Sequence, residues 1–217
     1  MATLPTRTDL PPMAPTLYGF EHVRRSWNSQ FQTYAARILP GEYYVTKHNE
    51  GVATTLGSCI SACIRDRVSG IGGMNHFMLP SSENSDKSSV RASGLNDAAR
   101  FGNYAMEQLI NEIMRNGGRR ENLEVKIFGG GRIIAGMTDV GEGNINFVRD
   151  YLALERLSVV AEDVGDIHPR MVIFFPATGM VRVKRLRSLH NNTIAELERR
   201  HLDSVKKKPV SGDIELF

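Results

Sequence analysis

The chain has 217 residues and a formal net charge of +3, with 41% hydrophobic and 24% charged residues. These values are ordinary for a soluble globular protein with one sizeable domain. The small, scattered basic excess argues against a nucleic-acid-binding protein, and two cysteines are too few for a disulfide scaffold.

The first 40 residues predict an extended arm followed by a helix. Residues 1–16 carry four prolines and no apolar core of a signal peptide, and no run in the chain approaches about 18 apolar residues. We therefore expect a cytoplasmic protein whose thiols stay reduced. Beyond the arm, five apolar residues recur at steps of three and four, which is typical of one face of an amphipathic helix: Phe20, Val23, Trp27, Phe31 and Tyr34.

The next part of the chain predicts strands and then a helix. Residues 51–57, 59–66 and 70–79 are short runs rich in β-branched residues and bounded by glycine or aspartate, so we expect strands. The polar, serine-rich residues 80–94 predict a mobile surface loop. A helix should follow, capped at its first turn by Asn96 and stopped by Gly117 and Gly118.

The C-terminal half continues this alternation. We expect strands at 123–131 and 158–163, a helix at 144–157, a hairpin at 171–186 that turns at 176–179, and a mostly polar helix at 192–207. Strands grouped early and late around two helices predict an α/β fold of the α+β type. We expect a mixed or antiparallel β-sandwich with helices on one side, in three layers and one domain.

The two cysteines differ in their surroundings. On one strand, Cys59 and Cys63 would lie about 13 Å apart, too far for a disulfide, and no second cysteine pair completes a zinc site. Cys63 lies in an apolar run and is expected in the core. Cys59 follows Gly57 and Ser58, where a tight backbone path could expose the thiol and an N–H that stabilises an oxyanion.

A nucleophilic thiol also needs a base, and His76 is the best candidate. It lies in the apolar run of a predicted strand, whereas the other five histidines lie in the N-terminal extension, in turns or in the polar C-terminal region: His22, His48, His168, His190 and His201. A lone histidine on such a strand also suits a core role. The residues alone therefore leave a Cys–His hydrolase as one of two interpretations.

The run "TTLGSCISACIRDRVSGIGGMNHFMLP" resembles the chemoreceptor glutamine deamidases, the CheD family of bacterial chemotaxis. The family signature is a threonine-rich "LGSC" followed by "GGxxHxMLP", and here Cys59 and His76 are 76 − 59 = 17 residues apart. Further blocks, "KIFGGG", "VGEGN", "VVAEDVGD" and "ATGMVRVKR", extend the resemblance over residues 42–186.

This resemblance implies a fold similar to that of bacterial toxin-type cysteine deamidases and the hydrolysis of receptor glutamine side chains to glutamate and ammonia. Cys59 would be the nucleophile, His76 the base, and an upstream threonine would orient the histidine. Thr54 and Thr55 are the two candidates, of which we choose Thr54. Neither a cofactor nor a metal is implied.

The resemblance also implies partners. These are the cytoplasmic helices of methyl-accepting chemoreceptors and a phosphatase of the CheC type. It divides the chain into an arm and helix outside the family core (residues 1–40), the deamidase domain (41–190) and a polar C-terminal helix and tail (191–217). No nucleic acid and no membrane insertion are expected.

Two other functions also fit these residues, and one further glycine-rich motif is present. The chain could be a regulatory module that only binds a CheC-type phosphatase, or a cysteine hydrolase of small amides. The run "FGGGRIIAG" fits neither a dinucleotide-binding nor a P-loop motif, because Ile134 and Met137 stand where glycine and lysine are needed. It is expected to form a structural turn beside the active cleft.

Overall fold

The computed structural model describes residues 10–79, 91–133, 138–186, 193–194 and 196–200. They form two five-stranded sheets and two long helices, α1 (Arg91–Arg115) and α2 (Thr138–Leu154), with a short 3-10 helix at Arg120–Asn122. The strands are β1 (Arg25–Asn28), β2 (Thr33–Arg37), β3 (Tyr43–Thr46), β4 (Gly51–Leu56), β5 (Ile60–Asp66), β6 (Gly72–Asn75), β7 (Leu123–Gly129), β8 (Val159–Val164), β9 (Arg170–Phe175) and β10 (Met180–Arg185).

Both sheets are mixed. Sheet A has the order β1-β2-β4-β9-β10, and its single parallel pair is β2 with β4. Sheet B has the order β3-β6-β5-β7-β8, and its single parallel pair is β7 with β8. Helices α1 and α2 pack on sheet B, with α1 against β3, β5 and β6 and α2 against β5. The predicted α+β sandwich with helices on one side is therefore confirmed.

One hydrophobic core joins the two sheets to the helices. Val52 and Val172 enter it from sheet A, Ile60 and Ile64 from sheet B, and Leu109 from α1. Nearly every residue of β5 is buried, because this central strand has neighbours on both edges and is covered on both faces. This double coverage explains why the sequence there is apolar without alternation.

The predicted N-terminal amphipathic helix is wrong. Its residues form the antiparallel hairpin of β1 and β2, which turns through Gln32 at a φ of 51°. Trp27 and Tyr34 are cross-strand partners whose rings meet edge to face at 5.3 Å, and Phe31 packs against Phe175 of sheet A in the same way at 5.1 Å. The regular spacing reflects aromatic pairing across a hairpin and not one face of a helix.

The predicted strands at 51–57, 59–66 and 70–79 are confirmed as β4, β5 and β6, and the later strands, helix and hairpin are confirmed as β7 to β10 and α2. Helix α1 begins at Arg91, so Asn96 lies inside the helix and is not its cap. Residues 91–94 of the predicted loop are helical, while residues 80–90 lie outside the described part of the chain. Of the predicted last helix, residues 193–194 and 196–200 are described and helical.

Among the described residues, no helix combines the length and the apolar character needed to cross a bilayer.

Candidate active site

The three predicted site residues meet where the two sheets join. The connection of Gly57, Ser58 and Cys59 leads from β4 in sheet A to β5 in sheet B. His76 directly follows β6, and the backbones of Ile60 and Phe77 exchange hydrogen bonds of 2.9 and 3.0 Å. This bridge holds Cys59 and His76 on adjacent segments, so the "LGSC" and "GGxxHxMLP" motifs form one structural unit.

The side chains of this unit are within reach of one another. The Sγ atom of Cys59 lies within 4.8 Å of a ring nitrogen of His76, and Thr54 Oγ1 lies 2.7 Å from His76 Nδ1. The Thr54 hydroxyl donates its one proton to the Ile38 carbonyl at 2.9 Å, so it accepts from Nδ1–H. Nε2 then carries the lone pair that can take a proton from the Cys59 thiol. Thr55, the other candidate threonine, makes no such contact in the described structure.

The backbone of the Gly57–Cys59 connection is fixed by its carbonyl groups. Each of the three carbonyls accepts a hydrogen bond, which fixes the orientation of the peptide groups of the connection. The donors to Gly57, Ser58 and Cys59 are, in order, Gly131 N at 2.6 Å, Asn144 Nδ2 at 2.8 Å and Gly130 N at 2.7 Å. The glycine-rich turn after β7 is therefore a structural support of the site and not a nucleotide-binding loop.

The three N–H groups converge on one carboxylate, that of Glu198. Oε1 accepts from Gly57 N at 2.8 Å and Cys59 N at 3.1 Å, and Oε2 accepts from Ser58 N at 2.8 Å. The Ser58 hydroxyl also donates to Oε2, at 2.6 Å. We call these four donors the oxyanion nest, since successive N–H groups that point to one place form an anion-binding concavity.

Glycine is required where β7 meets this connection. Gly129 has a φ of +113°, and a Cβ atom there would lie 2.2 Å from the Cys59 carbonyl oxygen. A side chain at this position would therefore push the backbone of Cys59 out of place.

The Cys59 thiol is buried, which corrects the expectation that it is exposed. Cys59 belongs to the hydrophobic core, and Glu198 lies against its backbone N–H and within 4.8 Å of its Sγ atom. Glu198 is part of the C-terminal segment, which we define as residues 193–194 and 196–200. Burial raises the pKa of the Cys59 thiol well above its usual range, and the charge and hydrogen bonding of Glu198 raise it further. With Glu198 in place, the thiol is therefore held in its protonated form.

Cys59, His76 and Glu198 offer three potential metal ligands within 4.8 Å of one another. The hydrogen bonding, however, is that of an anion site. Each Glu198 oxygen already accepts two hydrogen bonds, and a cation beside them would face the positive ends of three backbone N–H dipoles. The donor set fits a negatively charged or polarised oxygen better than a metal ion.

A cavity of about 260 Å³ opens beside these residues. Its walls come from the connection between β2 and β3, from β4, and from the C-terminal segment. The lining residues on the N-terminal side include Arg37, Ile38, Leu39 and Pro40, and those on the other side include Ile194, Leu197 and Glu198. The cavity reaches both Thr54 and His76, and Glu198 forms part of its wall.

Sequence reasoning missed three residues of the site: Ser58, Asn144 and Glu198. Ser58 lies inside the quoted motif and Asn144 ends the "VGEGN" block, so the resemblance includes both residues but assigns neither of them a function. No sequence pattern pointed to Glu198, because it is 140 residues from the Ser58 backbone that it contacts. The acidic residues Glu162 and Asp163 pair with Arg149 and Arg170 and lie outside the site.

Comparisons with known proteins identify the relatives of this chain. A family model described as "CheD chemotactic sensory transduction" matches residues 78–185. A probable chemoreceptor glutamine deamidase CheD of Halorhodospira halophila is 50% identical over 201 residues, covering 93% of each chain. Proteins of the same description from Hydrogenovibrio crunogenus and Hahella chejuensis are 53% identical (83% of this chain, 93% of the relative) and 48% identical (95% of each).

Proposed function

Because the chain belongs to the CheD family of chemoreceptor glutamine deamidases, we propose that it hydrolyses glutamine side chains of chemoreceptors with Cys59 as nucleophile. One observation supports this role most directly. The thiol lies beside three convergent N–H groups and within 4.8 Å of a His76 ring nitrogen. A nucleophile, a base and an oxyanion nest are what acyl transfer from a carboxamide needs.

The first half of the reaction forms a thioester. His76 Nε2 takes the Cys59 proton, and the thiolate attacks the carboxamide carbon of the substrate glutamine. The carbonyl oxygen becomes an oxyanion and enters the nest, where the Gly57, Ser58 and Cys59 N–H groups stabilise it. The His76 imidazolium then protonates the amide nitrogen, the C–N bond breaks, and ammonia leaves.

The second half releases glutamate. Water enters the space left by ammonia, and His76 accepts one of its protons while the oxygen attacks the thioester carbon. The resulting oxyanion occupies the same nest, and its collapse breaks the C–S bond. The Cys59 thiolate that leaves takes back the proton held by His76, which restores the enzyme. One carboxamide and one water thus become one carboxylate and ammonium. Thr54 acts through His76, by holding the ring with Nε2 toward the reacting groups.

The test is to incubate cytoplasmic helical fragments of a methyl-accepting chemoreceptor with the protein and follow the mass of their glutamine peptides. Each conversion adds about 1 Da. We expect Cys59→Ala and His76→Ala to lower the rate by at least about 10³-fold while the fragments still bind. Cys63→Ala is the matched control, because Cys63 is equally buried but lies on β5 away from the nest.

The same assay separates the alternative functions. A regulatory module would bind fragments without any mass change in the wild type, and a general amide hydrolase would also convert free glutamine. We expect receptor fragments to react and free glutamine to react poorly, because the cavity beside Thr54 and His76 is walled by apolar residues of the β2–β3 connection that suit a protein surface.

The remaining assignments are proposals of the same kind. We propose action in the cytoplasm, where the two free cysteines stay reduced. A CheC-type phosphatase is a second proposed partner, on the strength of the family resemblance, and co-purification with such a phosphatase would test it. The division into residues 1–40, 41–190 and 191–217 also stays a prediction, although β1 and β2 belong to sheet A.

A further inference from the structure

The C-terminal segment places a single acidic side chain in the nest. Glu198 is 1% exposed, whereas Glu196, Leu197, Arg199 and Arg200 around it are exposed. Glutamate is seldom fully buried unless its charge is compensated. Four donors of the nest hydrogen-bond to the Glu198 carboxylate, so it is bound in the way a ligand is bound.

The position of Glu198 is that of the reaction product. A glutamate side chain differs from glutamine only in one oxygen in place of the amide nitrogen, and the proposed reaction converts one into the other. The Glu198 carboxylate occupies the nest that receives the substrate oxygen, within 4.8 Å of Cys59 Sγ and of a His76 ring nitrogen. It is also presented on a helix, with Ile194 buried one turn earlier.

This occupant does not react. A carboxylate carbon is a poor electrophile, and attack by a thiolate would place two negative charges in the nest. The Glu198 charge also keeps the Cys59 thiol protonated by raising its pKa. The seated segment therefore blocks both the substrate position and the formation of the nucleophile.

The described contacts favour a docked segment that can leave. The described residues of the segment are helical. Only Ile194 and Glu198 of these residues are buried. Ile194, Leu197 and Glu198 line the cavity beside His76, so a substrate helix that enters this cavity competes with them for the same space.

We propose, on the premise of the proposed function, that the C-terminal segment is an intramolecular product mimic whose Glu198 inhibits the enzyme by occupying the glutamine subsite. The segment thus raises the substrate concentration needed for a given rate. It also shows the form in which substrate is accepted: a helix that carries the glutamine with an aliphatic residue four positions before it.

The test places a glutamine, the substrate side chain, at position 198. In Glu198→Gln the chain carries its own glutamine in the subsite, so we expect Cys59 to convert the introduced glutamine back to glutamate. The tryptic peptide of residues 188–199 then gains about 1 Da, and fragmentation places the change at position 198. The same substitution in a Cys59→Ala background should keep its glutamine, which also corrects for spontaneous deamidation of Asn191 and Asn192.

Glu196→Gln is the matched control. Position 196 lies on the same helical segment but is exposed, and within the described ranges its carboxylate pairs with Arg200, at 2.7 Å. Its glutamine should stay unchanged in the Cys59 enzyme. The conversion at 198 should also be independent of protein concentration, since an intramolecular substrate needs no encounter. A rate that rises with concentration would overturn the intramolecular assignment.

A second measurement uses Glu198→Ala. Removing the carboxylate should increase the rate of Cys59 alkylation by iodoacetamide and raise kcat/KM for receptor fragments by roughly 3- to 10-fold, because the free fraction of the site grows. A lower kcat/KM with slower alkylation would show that Glu198 only supports the fold and would overturn the proposal.

The failure of this inference is distinguishable from that of the proposed function. If the introduced glutamine persists while receptor fragments are deamidated by the same preparation, the product mimic is wrong and the deamidase stands. If neither glutamine reacts, both proposals fall.

Discussion

Asn144 on α2 donates a hydrogen bond of 2.8 Å to the carbonyl oxygen of Ser58, 86 residues away in the chain. Its Oδ1 accepts the backbone N–H of Leu79 at the same distance. One fully buried amide therefore joins the oxyanion nest to the segment that follows His76. Helix α2, which belongs to neither the "LGSC" motif nor the "GGxxHxMLP" motif, thus helps to hold the two motifs together.

Replacing Asn144 should impair both activity and stability. Asn144→Ala leaves a buried carbonyl and a buried N–H without partners, so we expect the free energy of unfolding to fall by about 2–4 kcal/mol. We also expect kcat on receptor fragments to fall by at least about 10-fold, because the Ser58 peptide can rotate its N–H out of the nest. Urea unfolding and the mass assay measure the two effects. Asn146→Ala, on the exposed face of the same helix, should leave kcat unchanged and not lower the free energy of unfolding.

Thr54 is expected to act by positioning His76. Thr54→Val removes the hydroxyl at nearly constant volume, so Nδ1–H loses its acceptor and the Ile38 carbonyl loses its donor. We expect kcat to fall about 10- to 100-fold with KM little changed, and Thr54→Ser to restore most of it. Steady-state kinetics would decide. An equal loss for Thr55→Val, with no rescue by serine at 54, would contradict this role.

Gly129 should tolerate no side chain. In Gly129→Ala the new Cβ would lie 2.2 Å from the Cys59 carbonyl oxygen at a φ of +113°, so we expect a loss of at least about 3 kcal/mol in the free energy of unfolding. Gly143→Ala in α2 is the matched control. Its Cβ meets nothing within 4 Å, and alanine should stabilise the helix by about 0.5–1 kcal/mol. Thermal melts that rank the two variants alike would refute the argument.

Asp66 makes stability depend on acid pH. Burial raises the pKa of this carboxyl, but hydrogen bonds from the backbone N–H groups of Ser69, Arg119 and Val68 and from Asn122 outweigh it and lower the pKa to about 2, from 3.8. A lowered folded-state pKa stabilises the fold above the unfolded value and loses this contribution as pH falls through the folded value. The stability that Asp66 provides should therefore be complete above about pH 4 and fade toward pH 2.

Denaturant unfolding between about pH 2 and 6 checks this expectation in the wild type and in Asp66→Asn. The difference in free energy of unfolding between the two should be constant above about pH 4 and shrink below it. A difference that does not change with pH would show that the carboxylate charge contributes nothing at this position.

The parts of the fold that could be predicted are those encoded by local patterns. The runs that form β4, β5 and β6 and the periodicity of α2 are local, and the structure confirms them. The hairpin of β1 and β2 could not be separated from a helix, because Trp27 and Tyr34 are spaced as helix neighbours while they pair across strands.

The site was predictable to the same extent. The motif places Cys59 and His76 near one another, but the nest depends on Gly130, Gly131 and Asn144, which reach the connection from later elements. The position of Glu198 in the nest could not be predicted at all, since nothing in the spacing of the C-terminal residues marks one glutamate among several as buried.

The hydrogen bond between Thr54 and His76 links a strand of sheet A to the end of a strand of sheet B. The geometry of the site therefore depends on how the two sheets of the sandwich pack against each other. A slight slide of one layer over the other, from a core change at Leu56 or Val172 for instance, would disturb this hydrogen bond and slow turnover in addition to lowering the stability of the fold. The turnover rate should therefore depend on the packing between the two sheets as well as on the site residues themselves.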